Sequence, residues 1–267
     1  MFQVIPVVAS LLLTNVISGS VDSRLQKGEF VSRFVGYAQN APRDKYVPNP
    51  KFWAKDVDLS CASPWNSDRG RLKAGTLVSK RHIVFAKHFP IANGSRIVFV
   101  DNEGHHCPCR MIASAEVPNS DIKVGLLDYE VTPNIHPVKI LPIDYEKYIG
   151  NGEGLPVVTL TQNEKACVTD LVAIQTNATS KAFFSRVPTD PTRARFREKI
   201  IVGDSGNPAF LIVGSEPILI GCLKMGGTGA GPAIHKFRFE VQCVMDELCP
   251  GYKLESFDFS KVVEAKQ

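Results

Sequence analysis

Residues 74–88 read AGTLVSKRHIVFAKH, and this stretch decides the fold class. Gly75–Val78 and Ile83–Ala86 are short β-branched and apolar runs separated by a polar turn, so the segment reads as strand, turn, strand, ending at His88. The same rhythm continues outward. Arg96–Val100, Cys109–Ala115, Val124–Tyr129 and Val138–Leu141 follow as strands. Leu155–Leu160, Ala166–Thr176, Lys181–Arg186, Asn207–Val213, Pro217–Leu223 and Gly231–Lys236 repeat the pattern. Turn formers such as Asp101-Asn-Glu-Gly104, Asn151-Gly-Glu-Gly154 and Asn177-Ala-Thr-Ser180 lie between them. Many short strands at even spacing predict an all-β antiparallel sandwich or barrel. Ile143–Gly154 is the best linker and divides the strands six and six. One helix is expected over Phe237–Leu248, stopped by Pro250-Gly251, with a loosely ordered polar tail over 251–267.

The 267 residues are 22% charged and 44% apolar, with a net charge of +4 and 20 glycines and 18 prolines. This composition excludes a disordered or collagen-like chain, and the unclustered charge gives no footprint for a nucleic-acid partner. Met1 to Val21 carry no charged side chain, Phe2 to Val16 are mostly apolar, and Ser18 and Ser20 fit a small-x-small cleavage pattern. Residues 1–20 therefore read as a signal peptide, placing the protein outside the cytoplasm, secreted or periplasmic. An uncleaved membrane anchor is the competing reading; no later stretch is long enough to span. Residues 21–57 would form an N-terminal extension, 58–146 a first barrel and 147–250 a second barrel with its helix.

Seven cysteines leave at least one unpaired within a monomer. His105-His106-Cys107-Pro108-Cys109 has metal-ligand residue types, but neighbours on a strand face opposite ways, so no metal site is expected there. Asn93-Gly-Ser and Asn177-Ala-Thr match the glycosylation acceptor pattern.

Gly203-Asp204-Ser205-Gly206-Asn207-Pro208 is the sharpest chemical signal. Glycines on both sides of Ser205 permit a turn that exposes the hydroxyl and aims backbone N–H groups at one point. A plain surface turn is the alternative. A serine hydroxyl needs a base, and the base needs an orienting carboxylate. His88, at the end of an apolar strand, is the candidate base among six histidines; His82 is expected in the solvated turn. Asp121, directly before an apolar strand, is the candidate acid, with Asp128 at that strand's far end as its rival.

The strings GTLVSKRHIVFAKHF, SDIKVGLLDYEVTPNIHPVKILP, GDSGNP and PILIGCLKMGG together resemble the chymotrypsin-like (trypsin-like) serine peptidases, over about Asp58 to Pro250. The order His, Asp, Ser is that family's order. The resemblance implies two antiparallel six-stranded β-barrels with a C-terminal helix. It implies His88, Asp121 and Ser205 as catalytic residues, and the N–H groups of Gly203 and Ser205 as the oxyanion hole. It further implies a polypeptide substrate, no cofactor and no metal. A catalytically silent binding module and an esterase on the same fold are the alternatives. The chain departs from the family pattern at several positions. Lys87 precedes the histidine, Asn207 replaces a glycine, and Lys73 and Phe89 stand where a cysteine pair is usual. Lys224 stands in place of the groove-strand serine, and Lys199 offers no acidic floor for a basic side chain. Phe34-Val35-Gly36-Tyr37 is a poor imitation of an activation start, which puts the usual pairing of Asp204 with a new amino terminus in doubt.

Overall fold

The computed structural model describes residues 7–40, 45–68, 70–177 and 180–265. The first six residues of the expected leader and the Ala178-Thr179 part of the acceptor pattern lie outside the described residues. The chain is mostly β. Helix α1 (Val7–Leu25) precedes strands β1 (Thr76–Leu77), β2 (His82–Ala86), β3 (Arg96–Val100), β4 (His106–Glu116), β5 (Ile122–Leu127) and β6 (Lys139–Ile140). The short helix α2 (Glu146–Ile149) lies in the linker. Then follow β7 (Pro156–Leu160), β8 (Ala166–Asn177), β9 (Ser180–Arg186), α3 (Pro191–Ala194), β10 (Pro208–Val213), β11 (Glu216–Cys222) and β12 (Ala230–Pro232). Helices α4 (Arg238–Leu248) and α5 (Phe259–Glu264) end the chain.

The strands form a five-stranded sheet, ordered β1-β2-β5-β4-β3, and a seven-stranded sheet, ordered β12-β9-β8-β7-β10-β11-β6. The strands divide five and seven between the sheets, because β6, which precedes the linker, pairs in parallel with β11 of the second sheet. Cys61–Ser63 adds a short antiparallel segment to β1, through Leu77 N to Cys61 O at 2.8 Å and Ser63 N to Gly75 O at 3.0 Å. Both sheets curl. β4 and β8 each bend at a bulge, between Met111 and Ala113 and between Leu171 and Ala173, and each serves one neighbour with each half. A Gly221–Ala233 bridge brings β11 back to the end of β12. That approach needs glycine on both sides. A Cβ on Gly221 would lie 2.0 Å from Pro232 O, and one on Gly231 would lie 1.9 Å from Cys222 O. The expected strand over Gly231–Lys236 therefore ends early, at Pro232, and the chain turns into a 3₁₀ segment over Ile234–Phe237.

One apolar cluster runs through both sheets, from Ile83, Phe85 and Val124 to Val158, Phe210 and Leu219. Helix α4 caps it with Val241, Val244 and Met245 and lies against β4 and β5. A second cluster joins the second sheet to α1 and α5. Leu13, Ile17, Val21 and Leu25, four residues apart, form the buried face of α1, and the helix runs unbroken through Ser18–Ser20. Asp22 holds Arg193 through two short bonds, and Arg193 also reaches the buried Asp170. No helix among the described residues is long and apolar enough to cross a membrane. The expected loose tail is instead packed. Leu254, Phe257 and Phe259 are buried, and β6 bonds the tail through Ile140 N to Glu255 O and Phe257 N to Ile140 O. The apolar side chains of this segment supply what its polar composition conceals.

Candidate active site

The register of β2 against β5 pairs Ala86 with Ile122, which places Lys87 and His88 beside Asp121. Lys87 N donates to Asp121 O at 2.9 Å, and His88 N donates to Asp121 Oδ1 at 3.0 Å. The other carboxylate oxygen, Oδ2, lies 2.6 Å from His88 Nδ1. Two bonds from one carboxylate to one residue fix the ring orientation and assign the Nδ1 proton to the acid side. His88 Nε2 then lies 2.9 Å from Ser205 Oγ. The serine comes from the other sheet. Gly206, at φ +89°, packs against the end of β2, where a Cβ would lie 3.3 Å from Ala86 N. Asp128 serves elsewhere, accepting Arg110 N at 2.9 Å beside the β4 bulge.

Aspartate–histidine pairs recur at Asp101–His105 and Asp58–His136, but of these three histidines only His88 meets a serine hydroxyl across its ring among the described residues. His82 is fully buried at the start of β2 rather than solvated in the turn, with Nδ1 2.8 Å from Ser79 Oγ. Burial lowers its pKa to about 4. Cys107 and Cys109 face the core while His105 is exposed, and no three metal-ligating side chains gather among the described residues.

The loop from Ile201 to Gly206 is bonded through its carbonyls. Val202 O accepts from Gln162 Nε2 at 3.2 Å, Gly203 O from Trp65 Nε1 at 2.9 Å, and Asp204 O from Asn207 N at 3.1 Å. In a trans peptide the N–H points opposite the C=O. The N–H groups of Gly203 and Ser205 therefore face the other way, and neither has an acceptor among the described residues. The Asp204 side chain is buried beneath the loop. Oδ1 accepts Gln162 N and Oδ2 accepts Ile201 N, each at 2.8 Å. No cation pairs with it among the described residues, and burial pushes its carboxyl above the ordinary carboxylate range.

The departures from the family pattern have local answers. Lys87 turns away from the imidazole to Glu116, at 2.5 Å. Lys73 Nζ sits 4.1 Å above the Phe89 ring and donates to Pro90 O at 2.7 Å, tying together the two positions where a cysteine pair is usual. A groove beside His88 has Phe184, Met225 and Pro232 on its wall and Lys181 and Lys224 at its edge. Lys224 is exposed and has no carboxylate partner among the described residues. Its C=O and the Gly226 N–H are likewise unpaired, leaving an open backbone edge next to the serine.

Gln162, Trp65, Gln39 and Tyr37, which shape the serine loop, carry no motif in the sequence. No protein-family model matches the chain, and no curated protein sequence matches it.

Proposed function

We propose that the protein is a serine endopeptidase of the chymotrypsin-like class, with its site between two barrels. The carrying observation is the chain of contacts from Asp121 through His88 to Ser205, at 2.6 and 2.9 Å. Ser205 Oγ attacks the scissile carbonyl carbon while His88 Nε2 takes its proton. Asp121 holds the Nδ1 tautomer and stabilises the imidazolium that forms. The N–H groups of Gly203 and Ser205 receive the oxyanion. His88 returns the proton to the leaving amine, and water then releases the acyl group from Ser205 by the same steps in reverse.

The shared pairing order of the two halves supports the barrel reading. Counting Cys61–Ser63 as a first strand, the strands of each half neighbour one another in the order 1-2-3-6-5-4. The open edge at Lys224–Gly226 supports a peptide substrate, because an extended chain can add to it as a strand. A fluorophosphonate probe tests the proposal. Ser205 is expected to be labelled and Ser205→Ala to be silent. A folded wild-type protein that takes no label would overturn it.

A further inference from the structure

Gly203 faces two opposing demands. Its φ is +104°, and a Cβ there would lie 3.2 Å from both terminal atoms of the Gln162 amide, so the position calls for glycine. Glycine in turn leaves the Val202–Gly203 peptide free to rotate, since no side chain bars the alternative. A half-turn of that peptide would replace the inward N–H with the Val202 carbonyl. The Val202 side chain gives no restraint, being 97% exposed. What holds the peptide is the Gln162 side chain, whose Nε2 donates to Val202 O at 3.2 Å.

Gln162 is itself held from outside the loop. Its Oε1 accepts from Gln39 Nε2 at 2.6 Å, so its nitrogen is the atom left to face Val202. Its backbone O accepts from Tyr37 Oη at 3.2 Å, and its N–H is bonded to Asp204. Gln162 is 4% exposed, so its end of these bonds is shielded from water, while Gln39 and Tyr37 are half-buried. Gln39 and Tyr37 belong to the N-terminal extension, which is anchored nearby through Arg33 Nε to Glu164 Oε2 at 2.5 Å. Glu164 Oε1 in turn accepts Trp65 N at 2.7 Å, and Trp65 holds the next carbonyl of the loop.

We propose that Gln162, oriented by Gln39 and Tyr37 of the N-terminal extension, is a positioning residue that locks the Val202–Gly203 peptide with its N–H turned toward the Ser205 reaction centre. The extension thus works as a clamp on the oxyanion-binding amides. This inference rests on the peptidase reading above.

The test is the rate of fluorophosphonate labelling, resolved into the binding constant KI and the chemical step kinact, for wild type, Gln162→Met and Gln39→Leu. Methionine keeps the volume of glutamine and removes the donor. Gln162→Met is expected to lower kinact by about tenfold with KI within twofold. Full loss of one oxyanion donor, roughly 100- to 1,000-fold, is the upper bound. Gln39→Leu is expected to lower kinact by about threefold in the same way, because it frees the amide to turn. It carries the test if Gln162→Met does not fold. Gln162→Glu adds a signature that packing alone would not give. Its carboxylate repels Val202 O when ionised and can donate when protonated, so its kinact relative to wild type should recover as pH falls. Labelled wild type with unchanged kinact in the folded variants overturns the clamp alone. Unlabelled, folded wild type overturns the peptidase reading instead.

Discussion

Replacing Asp204 by asparagine separates loop geometry from global stability. The ionised carboxylate accepts two backbone N–H groups, Gln162 N and Ile201 N, both at 2.8 Å. A carboxamide offers one acceptor, and its NH₂ must face the other N–H. The lost bond is of the charge-assisted kind, worth about 1.5–3 kcal/mol. At about 1.4 kcal/mol per tenfold, the closed loop should lose roughly 10- to 150-fold against its open forms. Stability should change less, because the variant also removes a buried charge that no cation among the described residues neutralises. The sign follows from the raised carboxyl pKa. The folded state binds this proton more readily than the unfolded state, so ionisation costs stability as pH rises through the folded value, and neutralisation does not itself unfold the chain. Asp204→Asn therefore imitates the acid form of wild type. The assay is twofold: kinact with a fluorophosphonate, and the emission of Trp65, whose indole donates to Gly203 O, in a Trp53→Phe background. The expected result is a drop in kinact of at least tenfold and a loop-dependent emission change that titrates above the ordinary carboxylate range in the Trp53→Phe parent and is absent in the variant. Equal kinact and equal emission at every pH would refute the reasoning.

Two further outcomes follow from the buried histidines and from the groove lysine. His82 and His235 are buried, with pKa values lowered to about 4 and about 3 by burial, and both nitrogens of His235 lack partners among the described residues. Their contribution to stability is complete above the unfolded value of about 6.5 and is lost as pH falls below it, by about 2 kcal/mol each at pH 5. Urea unfolding at pH 5 and 7.5, compared between wild type and a folded His235→Phe variant, separates this from Asp204, whose raised pKa acts in the opposite direction; a variant with the wild-type pH dependence refutes it. Lys224, exposed and without a carboxylate partner among the described residues, should favour acidic side chains in the groove. Glu-containing peptides should be cleaved roughly 3- to 10-fold faster than Lys counterparts at low salt, less so at high salt, and Lys224→Glu should reverse the order. Equal rates at low salt would remove Lys224 from specificity.

The strands were legible because β-branched runs and turn residues mark a pleated, half-buried chain wherever they alternate. His88, Asp121 and Ser205 stood out because each sits at a strand end or between glycines, where a side chain can leave the sheet. The clamp was not legible. Gln162 acts on a backbone carbonyl, and a carbonyl has no letter in the sequence. Gln39 and Tyr37 meet Gln162 across more than 120 residues of chain. At the N-terminus, composition reads as an export leader, while the four-residue spacing of Leu13, Ile17, Val21 and Leu25 also encodes the helix face that docks on the second sheet. The tail illustrates the same limit, since a few apolar residues in a polar segment suffice to pack it.

A serine turn with no chemistry to perform would close its amides on its own carbonyls, because an unmade hydrogen bond costs more than a made one returns. The loop at Ser205 does this only in part, closing Asp204 N on Ile201 O and Asn207 N on Asp204 O, each at 3.1 Å. Its carbonyls at Val202 and Gly203 are held by the buried Gln162 and Trp65, and the Asp204 carboxylate, with no cation beside it among the described residues, holds it from below. The N–H groups of Gly203 and Ser205, on either side of Asp204, have no acceptor among the described residues, and the Ser205 hydroxyl is already bonded to an oriented imidazole. Burying the Asp204 carboxylate costs folding free energy, which the two bonds it accepts offset in part. The proposed peptidase reaction uses all of these groups together. Loss of the Gln162 donor should accordingly slow the reaction more than it destabilises the chain.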